Sequence, residues 1–333
     1  MTTNPLLDLL VIGAGPTGIA IGAEARQAGL DVLLVDRGPL TAAIQAYPTF
    51  LEFFTTRDRL EIAGVPFTIP EAKPTRRDAL AYYRAVVERY EVPLALYEEV
   101  LVARRVGEEF VVESVKDGVR RTRRARAAAI ATGYFFGAKR LGVPGEDLPW
   151  VRHRYVEPYP HYAQDVVIVG AGNTAAEAAL DLWRNGARVT LVHRRGELKP
   201  GVKYWLKPDV ENRIEEGSIR ALFDSVVCAF HPDGSVEVRT PAGPERLRAQ
   251  AAYVLIGYLP DSDFQRRCGV TVDPETLVPT FDPETCESNV PGLYIAGTLQ
   301  AGRQTDRIFI ENSRDHGPRI VAHLLTRLAV PAS

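Results

Sequence analysis

An α/β fold is predicted for this 333-residue chain: two Rossmann-like, three-layer ββα dinucleotide-binding domains, the second inserted into the first. Three observations predict it. A strand, glycine turn, helix and strand follow one another near the N-terminus. A second complete copy begins near residue 165. A further apolar strand ending on glycine, 292–297, comes after that copy, so both chain ends are read as one domain (1–136 and 257–333) and 137–256 as the other.

In the first copy, Leu9-Leu10-Val11-Ile12 is a short apolar run, the mark of a buried parallel strand. Gly13-Ala14-Gly15-Pro16-Thr17-Gly18 comes next, then a helix opening over 19–25 and a strand over 31–35 that ends on Asp36. Glycines let the backbone turn tightly and approach a pyrophosphate, and the helix N-terminus offers it free N–H groups and a positive dipole end. An acid roughly twenty residues on accepts hydrogen bonds from ribose hydroxyls.

The second copy runs from a strand over 165–169 into Gly170-Ala171-Gly172-Asn173-Thr174-Ala175, a helix from 176 to about 183, and a strand over 188–192. That strand ends on His193-Arg194-Arg195 instead of an acid. One glycine turn is a weak signal. Two complete units with opposite charge at the ribose position are a strong one.

Between the copies, Arg37-Gly38-Pro39 is a turn. Tyr47-Pro48-Thr49-Phe50 and Phe53-Phe54-Thr55-Thr56 form an aromatic, hydroxyl-rich loop that either runs under a bound ring system or packs as core. A helix is expected over 79–87, capped by Thr75 or Asp78. Strands are expected over 94–97, 110–115 and 127–131, with a hairpin turn at Lys116-Asp117-Gly118. The basic stretch 120–124 is read as a solvated strand face, and the Gly- and Pro-rich 137–145 as a linker. Strands over 225–230, 235–238 and 252–258 close the inserted domain, and a final helix is expected from about Ile308 to Leu328.

Hydrophobic content of 46% and charged content of 25% are ordinary globular values. A net charge of −2 argues against nucleic acid or an anionic membrane as the main partner. No run of about 18 apolar residues is present. Met1-Thr2-Thr3-Asn4-Pro5 has no basic leader character, so a cytoplasmic location is expected. The three cysteines, Cys228, Cys268 and Cys286, form no CxxC, so neither a dithiol motif nor a metal site is expected.

With Ala131-Thr132-Gly133, Gly257-Tyr258-Leu259-Pro260-Asp261 and Tyr294-Ile295-Ala296-Gly297, the two fingerprints resemble the low-molecular-weight thioredoxin reductase group of flavoproteins over nearly the whole chain. The resemblance implies a homodimer or larger, with FAD in the first domain and NADPH in the inserted one. It implies FAD contacts from Gly13, Gly15, Pro16, Thr17, Gly18, Asp36, Arg37, Gln45, Tyr47, Phe54, Thr55, Ala131, Thr132, Gly133, Gly297, Thr298 and Ile308. It implies NADPH contacts from Gly170, Gly172, Asn173, Thr174, Ala175, His193, Arg194, Arg195, Lys199, Gly257 and Tyr258. His193-Arg194-Arg195 matches the group's NADPH signature, since two guanidinium forks can clamp a 2′-phosphate that an acid would repel.

Two departures narrow the resemblance. His153-Arg154-Tyr155-Val156 stands where the group carries CxxC, and Thr298 replaces its FAD-contacting Asp. A branch that shares both is the bacillithiol-disulfide reductases. It is resembled by Tyr47-Pro48-Thr49, Phe53-Phe54-Thr55-Thr56, 59–67, Lys73-Pro74, 79–84, 199–209 and 308–312. That branch commonly places a cysteine inside the first glycine turn, where this chain has Thr17.

The expected activity is therefore NADPH- and FAD-dependent reduction of bacillithiol disulfide or a related small disulfide. A ferredoxin–NADP reductase and a slow-turnover flavin redox sensor are the alternatives, with a flavin monooxygenase further off. The catalytic candidates are Thr17 and His316, the latter as a proton donor, although a helix-surface histidine is the plainer reading. Lys73, Arg76, Arg77 and Lys203 could meet a substrate carboxylate or be solvated surface. A helix starting near Ile308 could aim its positive end at the flavin.

Overall fold

The computed structural model describes residues 5–329. Residues 1–4, on which the reading of the N-terminus partly rests, lie outside them. The chain divides into two compact units. One holds the chain up to Ala46, Leu51–Gly137 and the chain from Leu259; the other holds Tyr47–Phe50 and Ala138–Tyr258. No helix among the described residues is long and apolar enough to cross a membrane.

In chain order the first unit opens with β1 (Leu6–Ile12), α1 (Pro16–Gln27), β2 (Val32–Asp36), α2 (Ala42–Gln45), α3 (Arg76–Tyr90), β3 (Leu94–Leu96), β4 (Glu99–Val106), β5 (Glu109–Lys116) and β6 (Val119–Ile130). The second unit contributes β7 (Val151–Arg152), β8 (Asp165–Val169), α4 (Asn173–Arg184), β9 (Arg188–Val192), α5 (Lys207–Glu215), β10 (Arg220–Leu222), β11 (Val226–Phe230), β12 (Ser235–Thr240), β13 (Gly243–Arg248) and β14 (Ala251–Val254). The chain then completes the first unit with α6 (Ser262–Arg267), β15 (Leu293–Ile295), α7 (Ile310–Ser313) and α8 (His316–Ala329).

In the first unit β3, β2, β1 and β6 lie side by side, parallel, with Ile12 opposite both Val35 and Ile130. The strand β6 is shared. Its first half pairs antiparallel with β5, which pairs with β4, and its last three residues pair parallel with β15. The basic stretch and the alanine run expected as separate pieces are thus one strand, and β4 has no counterpart in the sequence reading. The reason is charge: arginines along β4 and β6 hide the alternation that marks a half-buried strand. Most of the 120–124 arginines are solvent-facing as expected, but Arg123 is turned in and forks onto Glu98, which is 1% exposed and also accepts from Ser114 at 2.5 Å. The helix α3 uses both expected caps: Thr75 Oγ1 accepts from Asp78 N–H, and the Asp78 carboxylate accepts from Thr75 N–H at 2.9 Å.

The single C-terminal helix expected from about Ile308 is corrected to two. α7 spans one turn, and the chain restarts as α8 at His316. Pro318 is the cause: it has no N–H for the Arg314 carbonyl, and its ring clashes with that carbonyl in a continuous helix. Ser313 adds to the break by donating to the Phe309 carbonyl four residues back, at 2.7 Å.

The second unit is a parallel sheet ordered β10-β9-β8-β14-β7, with an antiparallel β11-β12-β13 meander. Alternation sorts its core into two faces. Val166, Ile168, Val189 and Leu191 pack with Ala175, Ala179 and Leu182 of α4. Val167, Val169 and Val192 pack with Val227, Phe230, Val236 and Leu247 of the meander. Tyr47–Phe50, read from the sequence as part of the 1–136 domain, joins this unit: Thr49 N–H donates to the Val156 carbonyl at 2.8 Å, and Phe50 lies edge-on to Tyr159 at 6.0 Å.

Candidate functional site

Each parallel sheet gathers its fingerprint at the carboxyl ends of its strands, where open α/β sheets bind ligands. In the first unit these ends are Gly13 after β1, Asp36 at the end of β2, Ala131 after β6 and Gly297 beyond β15. Gly13 has φ +117, and a Cβ there would lie 2.5 Å from the Ala131 carbonyl oxygen. A Cβ on Gly18 would collide with the Gly13 carbonyl. A Cβ on Gly15 would meet nothing within 4 Å, so the turn is open on its outer side. Gly15 caps α1 with no side-chain hydrogen bond, and Pro16 supplies the first helical residue without an N–H. The α1 N-terminus is therefore bare toward an anion.

Asp36 is held by two backbone donors, Ala14 N–H and Gly38 N–H, each at 2.7 Å. A carboxylate has about four acceptor sites, so capacity for ribose hydroxyls remains. Arg37 stacks over Phe136 at 5.4 Å, and Phe54 stands edge-on to Phe309 at 5.4 Å. Thr55 is buried; Thr132 and Gln45 are exposed; Ile308 is half-buried ahead of α7. Gly133, with φ +63, lies against Thr298.

The chain beyond β15 meets α1 at Thr17. A Cβ on Gly297, whose φ is +71, would lie 2.8 Å from Thr17 Oγ1. Thr17 Oγ1 is also 3.4 Å from Ser313 Oγ, a residue that sequence reasoning missed. His316 is not on a helix surface. It is 6% exposed, and its Nδ1 accepts from Gly297 N–H at 3.0 Å. Burial, with Arg319 adding to it, pushes its pKa down to about 4. That shift favours the neutral imidazole at pH 7. Pro318 was the available signal, because it places a helix start at this histidine.

In the second unit Gly170 has φ +142, and a Cβ there would strike the Leu255 carbonyl. Gly172 caps α4 with no side-chain hydrogen bond, and Lys199 lies beside its Cβ position, 4.0 Å away at Nζ. Ala175 packs beneath Gly170, and Thr174 is half-buried in the first turn of α4. Asn173 pins the following loop, accepting from Lys203 N–H at 2.9 Å and donating to the Gly201 carbonyl at 3.2 Å. Gly257 has φ +102 and accepts from Lys139 N–H at 2.9 Å; Tyr258 beside it is half-buried.

At the end of β9, His193 is 7% exposed and its Nε2 has no hydrogen-bond partner. Burial, then Lys199, Arg194 and Arg195, hold its pKa below the ordinary value. Arg194, Arg195 and Lys199 are exposed, and none forms an ion pair among the described residues. A buried imidazole nitrogen without a hydrogen-bond partner, beside three exposed cations, fits a phosphate ester. The open glycine turn before Asp36 fits the other adenine dinucleotide.

The four residues that could meet a substrate carboxylate are divided between the units: Lys73, Arg76 and Arg77 in the first and Lys203 in the second. Arg76 is committed to the Ile44 and Gln45 carbonyls, and Lys203 pairs with Glu177 at 2.5 Å in the second unit. Arg77 and Lys73 are exposed.

A family model described as pyridine nucleotide-disulphide oxidoreductase matches residues 10–297. Bacilliredoxin reductase Bdr of Bacillus subtilis is 38% identical over 322 residues, 96% of this chain and 97% of that one. The solved bacillithiol disulfide reductase Bdr (YpdA) of Bacillus cereus superposes with a TM-score of 0.94 at 34% identity, covering 97% of this chain and 100% of that one. The Staphylococcus aureus protein of the same description gives 0.90 at 34% identity, covering 96% and 98%.

Proposed function

This chain belongs to the pyridine nucleotide-disulphide oxidoreductase family, and we propose that it reduces bacillithiol disulfide or a closely related low-molecular-weight disulfide at the expense of NADPH. It is an NADPH-dependent flavoprotein oxidoreductase. The observation that carries the proposal is the pair of glycine cradles with opposite ribose chemistry, Asp36 on one sheet and His193 with Arg194, Arg195 and Lys199 on the other. When bound, NADPH and FAD supply the two electrons that, with two protons, turn one disulfide into two thiols.

The chain's own residues bind and orient. Gly13, Gly15 and Gly18 with the α1 N-terminus would hold the FAD pyrophosphate, and Asp36 its ribose. Arg194 and Arg195 would grip the 2′-phosphate of NADPH, with His193 Nε2 donating to it and Lys199 over the glycine turn. No cysteine lies at the first cradle: Cys268 and Cys286 are buried elsewhere in that unit, and Cys228 is on β11. The reading includes a cytoplasmic location, and a homodimer or larger assembly, the latter supported by resemblance.

The test is anaerobic NADPH oxidation with bacillithiol disulfide and with ferredoxin, and aerobic oxidation with oxygen alone. Reduction of the disulfide faster than either competitor is the expected result. Ferredoxin or oxygen consumed faster than the disulfide overturns the proposal.

A further inference from the structure

The buried histidine at the start of α8 has a backbone partner and no part in the binding roles above. We propose that His316 is a positioning residue, which clamps the Gly297 turn against Thr17 and so fixes the outer wall of the flavin cradle; this rests on the flavoprotein reading of the first unit.

Four contacts carry the inference. Ala296 N–H is satisfied within the sheet by the Ile130 carbonyl, but Gly297 N–H, one residue on, has left the ladder and goes to His316 Nδ1 at 3.0 Å. Both groups are buried, so without this acceptor the N–H would be an orphan. Gly297 in turn abuts the Thr17 side chain, where a Cβ would sit 2.8 Å from Oγ1. Thr17 Oγ1 reaches Ser313 Oγ at 3.4 Å, and Ser313 closes the loop back to the segment that carries His316. Finally, Gly317 lets α8 touch the backbone of α1: a Cβ there would lie 3.1 Å from the Ala20 carbonyl. That close approach delivers His316 to Gly297.

The chemistry also settles two points. An imidazole that accepts at Nδ1 carries its proton on Nε2, so the tautomer is set by the Gly297 bond. Ser313 already donates to the Phe309 carbonyl, so the Thr17 hydroxyl is the donor between the two side chains. Its proton is committed inward, and Thr17 is a wall residue, not an acid.

The discriminating variants are His316→Leu, which removes the acceptor at similar volume, and His316→Asn, whose Oδ1 can stand where Nδ1 stands. The measurement is the FAD dissociation constant of each apoprotein, titrated by flavin fluorescence quenching, with the visible spectrum of the bound flavin as a second readout. Circular dichroism verifies that each variant is folded. His316→Leu is expected to weaken FAD binding about tenfold or more and to shift the flavin bands, as leaving a buried donor unpaired implies. His316→Asn is expected to restore both to within about threefold. Unchanged FAD affinity and spectrum in His316→Leu overturns the proposal. So does an equal loss in both variants, which would make the residue a packing element only. Failure of the parent protein to bind FAD at all would instead overturn the flavoprotein reading itself.

Discussion

At the scale of single residues, charge at the two ribose positions makes the sharpest expectations. Asp36→Ala removes the ribose acceptor and the group that ties Ala14 to Gly38, and the purified protein is expected to lose most of its bound flavin, read as the ratio of visible to ultraviolet absorbance. Replacing Arg194 and Arg195 together by Ser should leave turnover with NADH unaffected and lower kcat/KM for NADPH by about a hundredfold or more, because charge-assisted hydrogen bonds are worth roughly 1.5–3 kcal/mol each. A preserved preference for the phosphorylated nucleotide would show that other groups read it. His316 sets a pH dependence whose sign is definite. Above pH about 6.5 the imidazole is neutral both folded and unfolded, and it contributes nothing. As pH falls from there toward about 4, the unfolded chain takes up the proton and the folded chain does not, so stability declines with falling pH. The full loss is on the order of 3 kcal/mol. Thermal melts between pH 4 and 7 should show a shallower acid decline in His316→Asn than in the parent.

Among the elements, the junction of α7 and α8 is where small changes reach the site. Gly317→Ala places a methyl 3.1 Å from the carbon and oxygen of Ala20. The helix must back away from α1, and a cost of about 1–3 kcal/mol is expected, measured as a lower melting temperature together with weaker FAD retention. A loss of stability with FAD retention intact would mean that α8 can shift without dragging His316 from Gly297. The same junction shows which parts of the fold were legible in the sequence. Both glycine units were readable because every signal in them is local: an apolar run, a glycine turn, a periodic helix and the residue closing the next strand. The broken C-terminal helix was readable too, through Pro318, and was missed because the periodicity on both sides was continuous. The strand β6 was only half legible. Its arginine half carries no apolar alternation, and its division between β5 and β15 depends on segments more than a hundred residues apart.

Over the whole molecule, the cofactor candidates sit at strand ends that local signals mark, while the surroundings of the catalytic candidates are set by non-local packing. Gly13 lies beside Asp36 on the first sheet, and Gly170 beside His193 on the second, because neighbouring parallel strands end side by side. The burial of His316 and the engagement of Ser313 arise from packing of α8 on α1, which no spacing rule announces. The grouping of Tyr47–Phe50 with Ala138–Tyr258 is non-local in the same sense. It means that the backbone passes from one unit to the other after Ala46, Phe50, Gly137 and Tyr258. Recombination that exchanged only the long insert between two family members would therefore transplant an incomplete parcel. The recipient would keep its own Thr49 and Phe50 facing a foreign Val156 and Tyr159, and chimaeras should be healthier when that four-residue stretch travels with the donor.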